Sequence, residues 1–113
     1  MNIIESMEVT PQDVQSRLAR GEALLILDVR EPEEFALARI AGSELIPMGS
    51  VPAQLQHLEG LADDQTLMVI CHHGVRSLQV VSWLRAHGVE NCFSVAGGID
   101  RWSLQIDQDV PRY

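Results

Sequence analysis

The sequence predicts an α/β domain built on a mainly parallel sheet with helices on both faces. Segments with strand patterns and helix patterns alternate along the chain, and the loops between them are short. Residues 23–27 and 67–70 are continuous apolar runs, which is the pattern of a strand covered on both faces. The chain has 113 residues, enough for one compact domain. We expect residues 1–113 to form that domain, with a core at about residues 9–105.

The first half of the chain begins with a helix signature and continues into strand and helix patterns. Thr10 is placed to cap a helix whose first residue is Pro11, and Gly21 marks its end. The next predicted elements are a strand at residues 23–27, a short acidic helix opened by Glu31-Pro32, and a short strand at residues 44–46.

The second half repeats the alternation of helix and strand. A helix that begins near Pro52 is expected to break at Gly60, since glycine disfavours a helix interior. The segment from residue 75 to 87 has a broad apolar face, and Gly88 follows it as a helix stop. The other predicted elements are strands at residues 66–70 and 92–95 and a final helix that follows Gly97-Gly98.

One of the buried strands delivers a cysteine into a short loop at the start of a helix. The apolar run at residues 67–70 ends in Cys71, and the helical pattern begins at Val75. Backbone N–H groups and the positive end of the helix dipole converge at such a place, where they hold anions and favour a thiolate over a thiol. Cys71 is therefore a candidate nucleophile, and its surroundings are a candidate anion cradle.

The residues that follow Cys71 favour a reactive cysteine over one that is merely packed. Gly74 lets the backbone turn freely, Arg76 adds a permanent cation with forked donors, and Ser77 can donate to an anion. The two histidines are either exposed loop side chains or a source of positive charge at the mouth of the site. The candidate substrate-binding residues are His72, His73, Gly74, Val75, Arg76 and Ser77.

Two further polar groups and a second cysteine have both a functional and an ordinary interpretation. Asp28 and Arg30 follow a strand whose end lies at the functional edge of the sheet. They form either a surface ion pair or a brace for the active loop, and we favour the supporting role. Cys92 is interpreted as a packed strand residue, with a resolving thiol as the alternative. Adjacent ligands such as Cys71-His72-His73 rarely converge on one tetrahedral ion, so no metal site is expected.

The composition of the chain excludes some classes of binding partner and predicts a cellular location. The formal charge is −8 and every basic residue is an arginine, which argues against nucleic acid and anionic membranes as partners. No apolar run has the length of a membrane span, and the N-terminus lacks the pattern of a secretory signal. We therefore expect a cytoplasmic protein without a structural disulfide.

Four stretches of the sequence are considered together, at residues 27–35 (LDVREPEEF), 40–43 (IAGS), 71–77 (CHHGVRS) and 97–102 (GGIDRW). On these stretches the chain resembles the single-domain rhodaneses, a family of sulfurtransferases. The resemblance runs from about residue 9 to residue 102, and its motifs stand in the family's order and approximate spacing. The first and third of these motifs are the most specific.

This resemblance implies a five-stranded parallel sheet flanked by helices, and a persulfide chemistry at Cys71. The cysteine would accept a sulfane sulfur from a small donor anion such as thiosulfate and pass it to a thiophilic acceptor, such as cyanide or a protein thiol. Residues 71–76 match the family's six-residue active loop, and no cofactor is implied. The chain departs from the family at Arg39 and Ala41, where histidine and proline are usual. The loop interior also differs from that of dedicated thiosulfate or mercaptopyruvate enzymes, which leaves the donor open.

Two other functions compete with a sulfurtransferase. Cysteine phosphatases and arsenate reductases also place a cysteine and an arginine on a strand–loop–helix, usually as C-x5-R, whereas Cys71 and Arg76 form C-x4-R. The shorter loop has less room for a tetrahedral anion and suits a single sulfur atom. The second alternative is a persulfide carrier or docking module that serves one partner protein. We expect a monomer or a weak dimer.

Overall fold

The computed structural model describes the backbone from residue 5 and the side chains from residue 6, both to residue 113. The strands are β1 (Glu8–Val9), β2 (Leu24–Asp28), β3 (Glu44–Leu45), β4 (Thr66–Ile70) and β5 (Cys92–Val95). The helices are α1 (Pro11–Ala19), α2 (Pro32–Leu37), α3 (Leu55–Asp64), α4 (Val75–Ala86) and α5 (Gly98–Gln105), and three short 3-10 turns lie at Glu5–Met7, Met48–Ser50 and Pro52–Gln54. Within this described part, no helix has the length and apolar character needed to cross a membrane.

The five strands form one parallel sheet in the order β1-β5-β4-β2-β3. The end of β2 pairs with the end of β4, since Asp28 lies opposite Ile70. On its other side β4 pairs with β5, where Val69 lies opposite Ser94. The carboxyl ends of these three strands therefore lie at one edge of the sheet, which is where ligands bind in folds of this class. The predicted α/β fold with helices on both faces is confirmed.

Helices cover both faces of the sheet, and each face has its own core. Side chains that alternate along a strand enter opposite cores, as the period of a β-strand requires. The core on one face includes Leu27, Val29, Leu58, Leu67, Val69, Val81 and Leu84, together with Cys71. The core on the other face includes Val14, Ile26, Met68, Ile70, Ile99 and Trp102. The alternation thus directs the Cys71 side chain to the same face as α3 and α4.

Two expectations about individual elements are corrected by the structure. Gly60 does not break a helix, because α3 continues through it from Leu55 to Asp64. An interior glycine costs a helix only about 1 kcal/mol, which the burial of Leu58 against the sheet offsets. The helix also starts later than Pro52, after two 3-10 turns.

The segment before Thr10 was not expected to form a strand. Glu8 and Val9 pair in parallel with Ser94 and Val95 and make β1, the outermost strand of the sheet beside β5. These two residues run almost directly into the helix start at Thr10-Pro11 and show no separate strand pattern of their own. The predicted cap is confirmed, because the Thr10 hydroxyl accepts a hydrogen bond from the N–H of Asp13 at 3.1 Å.

Candidate active site

Cys71 follows β4 directly and lies at the start of α4, with 1 % of its surface exposed. Its Sγ accepts hydrogen bonds from the backbone N–H of Gly74 at 3.1 Å and of Ser77 at 3.3 Å. Gly74 is the residue before the first turn of α4 and has a φ of 104°, a left-handed conformation that glycine adopts without strain. The loop thus turns back on itself and directs two amides at the sulfur, which favours a negative charge there.

Two buried hydroxyls continue from the sulfur into the sheet. The Sγ of Cys71 lies 3.3 Å from the Oγ of Ser77, which lies 2.8 Å from the Oγ of Ser94 on β5. Both serines are fully buried. When the sulfur is a thiolate, the chain can reverse, so that Ser94 donates to Ser77 and Ser77 donates to the sulfur. The hydroxyls can therefore follow the charge on Cys71 without moving any backbone.

The first turn of α5 holds the loop from outside. The N–H of Ile99 donates to the carbonyl of Cys71 at 2.8 Å, and the N–H of Asp100 donates to the carbonyl of His72 at 3.2 Å. Gly98 has a φ of 61°, and a Cβ at this position would overlap the carbonyl oxygens of Cys71 and His72. Sequence reasoning interpreted Gly97-Gly98 only as a strand-to-helix turn. The structure adds that Gly98 permits the close approach of α5 to the active loop.

Arg76 is held by an acidic residue of another element. Its Nη1 and Nη2 donate to the two carboxylate oxygens of Glu34 on α2, at 2.7 and 2.9 Å. The hydrogen bond from Arg76 lowers the pKa of Glu34 to about 2, and the bond to Glu34 raises the pKa of Arg76. Both groups are therefore charged at neutral pH, and the guanidinium of Arg76 lies against a carboxylate.

Asp28 and Arg30 form a buried pair and not a surface pair. The Nη2 of Arg30 lies 2.7 Å from Oδ2 of Asp28, and the two side chains are 0 % and 1 % exposed. Arg30 also donates to the carbonyls of Glu34 and Ala38. Burial acts to lower the pKa of Arg30, but its hydrogen bonds and charge interactions with Asp28 and Tyr113 together outweigh burial, so that the pKa is raised. The pair thus fixes α2 at the backbone of Glu34 and at its C-terminal end, beside the active loop.

The two loop histidines stack in a column that ends on Tyr113. The ring of His72 lies 3.9 Å from that of His73 and 4.0 Å from that of Tyr113, measured between centroids. Burial, and then the proximity of His73, lower the pKa of His72. His72 is therefore uncharged at neutral pH and adds no positive charge at the mouth. Val75, by contrast, is 67 % exposed on the outside of the loop.

The second cysteine is buried and lies far from Cys71, near the opposite end of the strands. Cys92 is fully buried on β5 opposite Leu67, four residues before Cys71. At the rise of a β-strand this separates the two cysteines by about 13 Å, too far for a disulfide without rearrangement. Both are free, and burial raises the pKa of the Cys92 thiol, which favours a packing role. Within residues 6–113, no three His, Cys, Asp or Glu side chains group as a metal site would require.

Sequence reasoning did not single out three residues that the structure brings to this edge. Glu34 reaches the loop from α2, Ser94 from β5, and Tyr113 from the segment after α5. The only available signal was that Glu34 lies in the acidic stretch after Arg30, within a motif of the resemblance. Ser94 and Tyr113 carried no local signal, because their partners are distant in sequence.

Comparisons with known proteins show which family this fold and sequence belong to. Residues 10–105 match the model of the Rhodanese-like domain family. A thiosulfate sulfurtransferase GlpE of Ectopseudomonas mendocina is 30% identical over 106 residues, which are 94% of this chain and 93% of that protein. The solved structure of a rhodanese-related protein from Thermoplasma volcanium superposes with a TM-score of 0.76 at 33% identity, and covers 88% of this chain and 92% of its own.

The chain belongs to the rhodanese-like domain family. Several of its relatives are named as sulfurtransferases, among them this GlpE and the probable adenylyltransferase/sulfurtransferase MoeZ of Mycobacterium tuberculosis. Other relatives are much longer: the rhodanese-like/PpiC domain-containing protein 12 of Arabidopsis thaliana is 33% identical over 88% of this chain but only 33% of its own length. The chain spans about a quarter to a third of the length of the first curated relatives it matches.

Proposed function

We propose that this protein is a sulfurtransferase that carries sulfane sulfur as a persulfide on Cys71. The observation that supports this most directly is the environment of Sγ, where the amides of Gly74 and Ser77 and the hydroxyl of Ser77 all lie within 3.3 Å. These groups stabilise a thiolate before sulfur arrives. They also favour a persulfide, which is anionic near neutral pH.

The proposed reaction has two displacement steps. In the first, the thiolate of Cys71 attacks the outer sulfur of a donor such as thiosulfate. A new S–S bond forms at Cys71, the S–S bond of the donor breaks, and sulfite leaves with the electron pair. In the second, a nucleophilic acceptor such as cyanide or a protein thiolate attacks the outer sulfur of the persulfide, and the thiolate of Cys71 leaves. No general base is needed, because the thiolate is both the attacking and the leaving group.

The remaining loop residues have supporting parts in this proposal. Gly74 and Ser77 supply the donors, and His72, His73 and Val75 form the rim of the loop. Arg76 contributes its charge through the pair with Glu34, so the donor's oxyanion meets an ion pair and not an isolated guanidinium. The buried pair of Asp28 and Arg30 braces α2 beside the loop, as a supporting element.

The experiment is to incubate the purified protein with thiosulfate and to measure its intact mass. We expect a gain of one sulfur atom, which is lost on adding cyanide with release of thiocyanate. The variant Cys71→Ser should neither gain mass nor turn over, whereas Cys92→Ser is the matched control and should do both. Sulfur loading retained in Cys71→Ser would remove Cys71 from the mechanism.

A persulfide carrier or docking module is the second candidate function. It is favoured by the length of several relatives, in which a region like this chain makes up a quarter to a third of the protein. A carrier would load on Cys71 but transfer slowly to cyanide and rapidly to one protein thiol. The ratio of these two transfer rates separates the candidates. The two free cysteines suit a reducing compartment, and we propose the cytoplasm as the location.

The phosphatase alternative receives less support from the site. Such an enzyme needs its arginine to bind the oxygens of a tetrahedral anion, and here the guanidinium of Arg76 is engaged by both oxygens of Glu34. Among the described residues, the backbone amides that donate to Sγ are those of Gly74 and Ser77, which is few for a nest that must hold a tetrahedral anion. Hydrolysis of an aryl phosphate that is lost in Cys71→Ser would reverse this preference.

A further inference from the structure

Tyr113 contacts three separate parts of the protein near the carboxyl ends of β2 and β4. Its hydroxyl donates to Oε1 of Glu34 at 2.9 Å and accepts from Nη1 of Arg30 at 2.8 Å. Its ring lies nearly parallel to the imidazole of His72, at 4.0 Å between centroids and 9° between planes. One side chain therefore contacts α2, the segment after β2, and the active loop.

Two of these contacts, those with Glu34 and His72, lead to residues of the active loop. Glu34 is the residue that holds Arg76, so the Tyr113 hydroxyl shares the carboxylate with a loop guanidinium. His72 follows Cys71 in the chain, and its carbonyl is fixed by the N–H of Asp100. The Tyr113 ring restrains the same residue from its side-chain end.

The chemistry of the hydroxyl suits a positioning role. It is a donor toward a carboxylate and an acceptor from a guanidinium, and hydrogen bonds to charged groups are stronger and more directional than neutral ones. Burial raises the pKa of Tyr113, so the hydroxyl keeps its proton at neutral pH and the bond to Glu34 persists. Its hydrogen bond also offsets part of the negative charge that Glu34 presents to the loop.

We propose that Tyr113 is a positioning residue of the active loop, acting through Glu34 on Arg76 and through its ring on His72. This inference rests on the sulfurtransferase function proposed above. Tyr113 does not touch the sulfur. It holds the two residues that flank the sulfur cradle in one arrangement, so that the amides of Gly74 and Ser77 stay directed at Sγ.

The first test separates the hydroxyl from the ring. Loading of Cys71 by thiosulfate is followed by intact mass, to give a maximal rate constant and a half-saturating concentration. In Tyr113→Phe the stack remains but Glu34 loses a donor, and we expect the half-saturating concentration to rise about 3- to 10-fold at an unchanged maximal rate. In Tyr113→Leu the maximal rate should fall as well. Leu104→Ala, which removes an exposed side chain of α5, is the control and should change neither constant.

The second test needs no sulfur donor. Hydrogen exchange of backbone amides is compared at Gly74, at Ser77 and at Met68 in the centre of β4. In Tyr113→Leu we expect protection to fall more at Gly74 and Ser77, whose amides face the sulfur, than at Met68. An equal fall at all three sites, together with unchanged loading constants, would show that Tyr113 only stabilises the fold and would overturn the proposal. A loop-specific fall in a protein that never loads sulfur would support the positioning role while rejecting the sulfurtransferase function.

Discussion

Both oxygens of the Glu34 carboxylate accept hydrogen bonds from the guanidinium of Arg76, at 2.7 and 2.9 Å. The two residues are 42 positions apart in the sequence, and their pair ties α2 to the active loop. The ion pair is partly buried, with side-chain exposures of 30% for Arg76 and 20% for Glu34. We therefore expect the ion pair to affect both the free energy of unfolding and the concentration of an anionic donor that half-saturates the site.

The first prediction concerns the dependence of stability on pH. The pKa of Glu34 is about 2 in the folded protein, against an ordinary value of 4.5, so its stabilising effect is complete above pH 4.5 and is lost as the pH falls toward 2. We expect Glu34→Gln to be less stable than the wild type at pH 7, and the difference to shrink as the pH falls from about 5 to about 2. Urea unfolding at a series of pH values measures this. A difference that stays constant with pH would mean that Glu34 acts only through packing.

The second prediction concerns the effect of the charges of Arg76 and Glu34 on the binding of an anionic sulfur donor. Arg76→Ala leaves the Glu34 carboxylate without its counter-charge, so the half-saturating concentration of thiosulfate should rise more than the maximal loading rate falls. Glu34→Gln leaves the guanidinium uncompensated and should lower that concentration. Each shift should diminish in high salt, because screening weakens such interactions. The rate of sulfur loading is measured against thiosulfate concentration at two ionic strengths. A half-saturating concentration that shifts in the same direction in both variants would contradict the prediction.

Local sequence patterns were sufficient to predict most of the fold and to bring together the residues at the centre of the candidate site. Cys71, Gly74 and Ser77 lie within seven consecutive residues, and the strand–loop–helix that contains them determines how they meet. Four of the five strands carry enough apolar or β-branched residues to be recognised. The fifth, β1, has two residues and exists because β5 offers an edge, which is tertiary information.

The surroundings of the site could not be read in the same way. The partner of Arg76 lies on another helix, and that of His72 lies 41 positions further on at Tyr113. A charged or aromatic residue has many partners of suitable chemistry, and only the folded arrangement selects one. The Asp28–Arg30 pair shows the same limit, because its spacing suggested an ion pair but gave no sign of its complete burial.

The third prediction concerns this buried pair. Asp28→Ala leaves the guanidinium of Arg30 buried without its counter-ion, and we expect a loss of about 3–5 kcal/mol in the free energy of unfolding. The double variant Asp28→Leu/Arg30→Met removes both charges and should recover part of that loss. Denaturant unfolding measures both. Glu22→Ala, which breaks the exposed pair with Arg20, is the control and should cost less than about 1 kcal/mol.

The fourth prediction compares two glycines that share a positive φ. Gly98 has a φ of 61° and packs against the carbonyls of Cys71 and His72, whereas Gly42 has a φ of 83° with nothing near its missing Cβ. Gly42→Ala should cost only the strain of the left-handed conformation, about 1 kcal/mol, and leave sulfur loading unchanged. Gly98→Ala should cost about 1–3 kcal/mol more and slow loading, since the loop must move away from α5. Equal effects of the two substitutions on loading would contradict the close approach.

The last prediction concerns the pair of buried serines. Ser94 does not contact the sulfur, and its Oγ lies 2.8 Å from that of Ser77. If it orients the Ser77 hydroxyl toward Sγ of Cys71, then Ser94→Ala should slow sulfur loading about 3- to 10-fold, the effect of one net hydrogen bond. Ser103→Ala is the matched control, because Ser103 is also buried but donates to the carbonyl of Val110.

A double-mutant cycle shows whether Ser94 acts through Ser77. In the Ser77→Ala background the second substitution at Ser94 should have no further effect on the loading rate, because the hydroxyl that it orients is gone. Additive losses would mean instead that Ser94 affects Cys71 by another route, such as a shift of β5. Thermal unfolding is measured for the four proteins of the cycle and for Ser103→Ala. A loss of stability like that of Ser103→Ala is the general effect of removing a buried hydroxyl, and a slower loading rate beyond it is specific to Ser77 and Ser94.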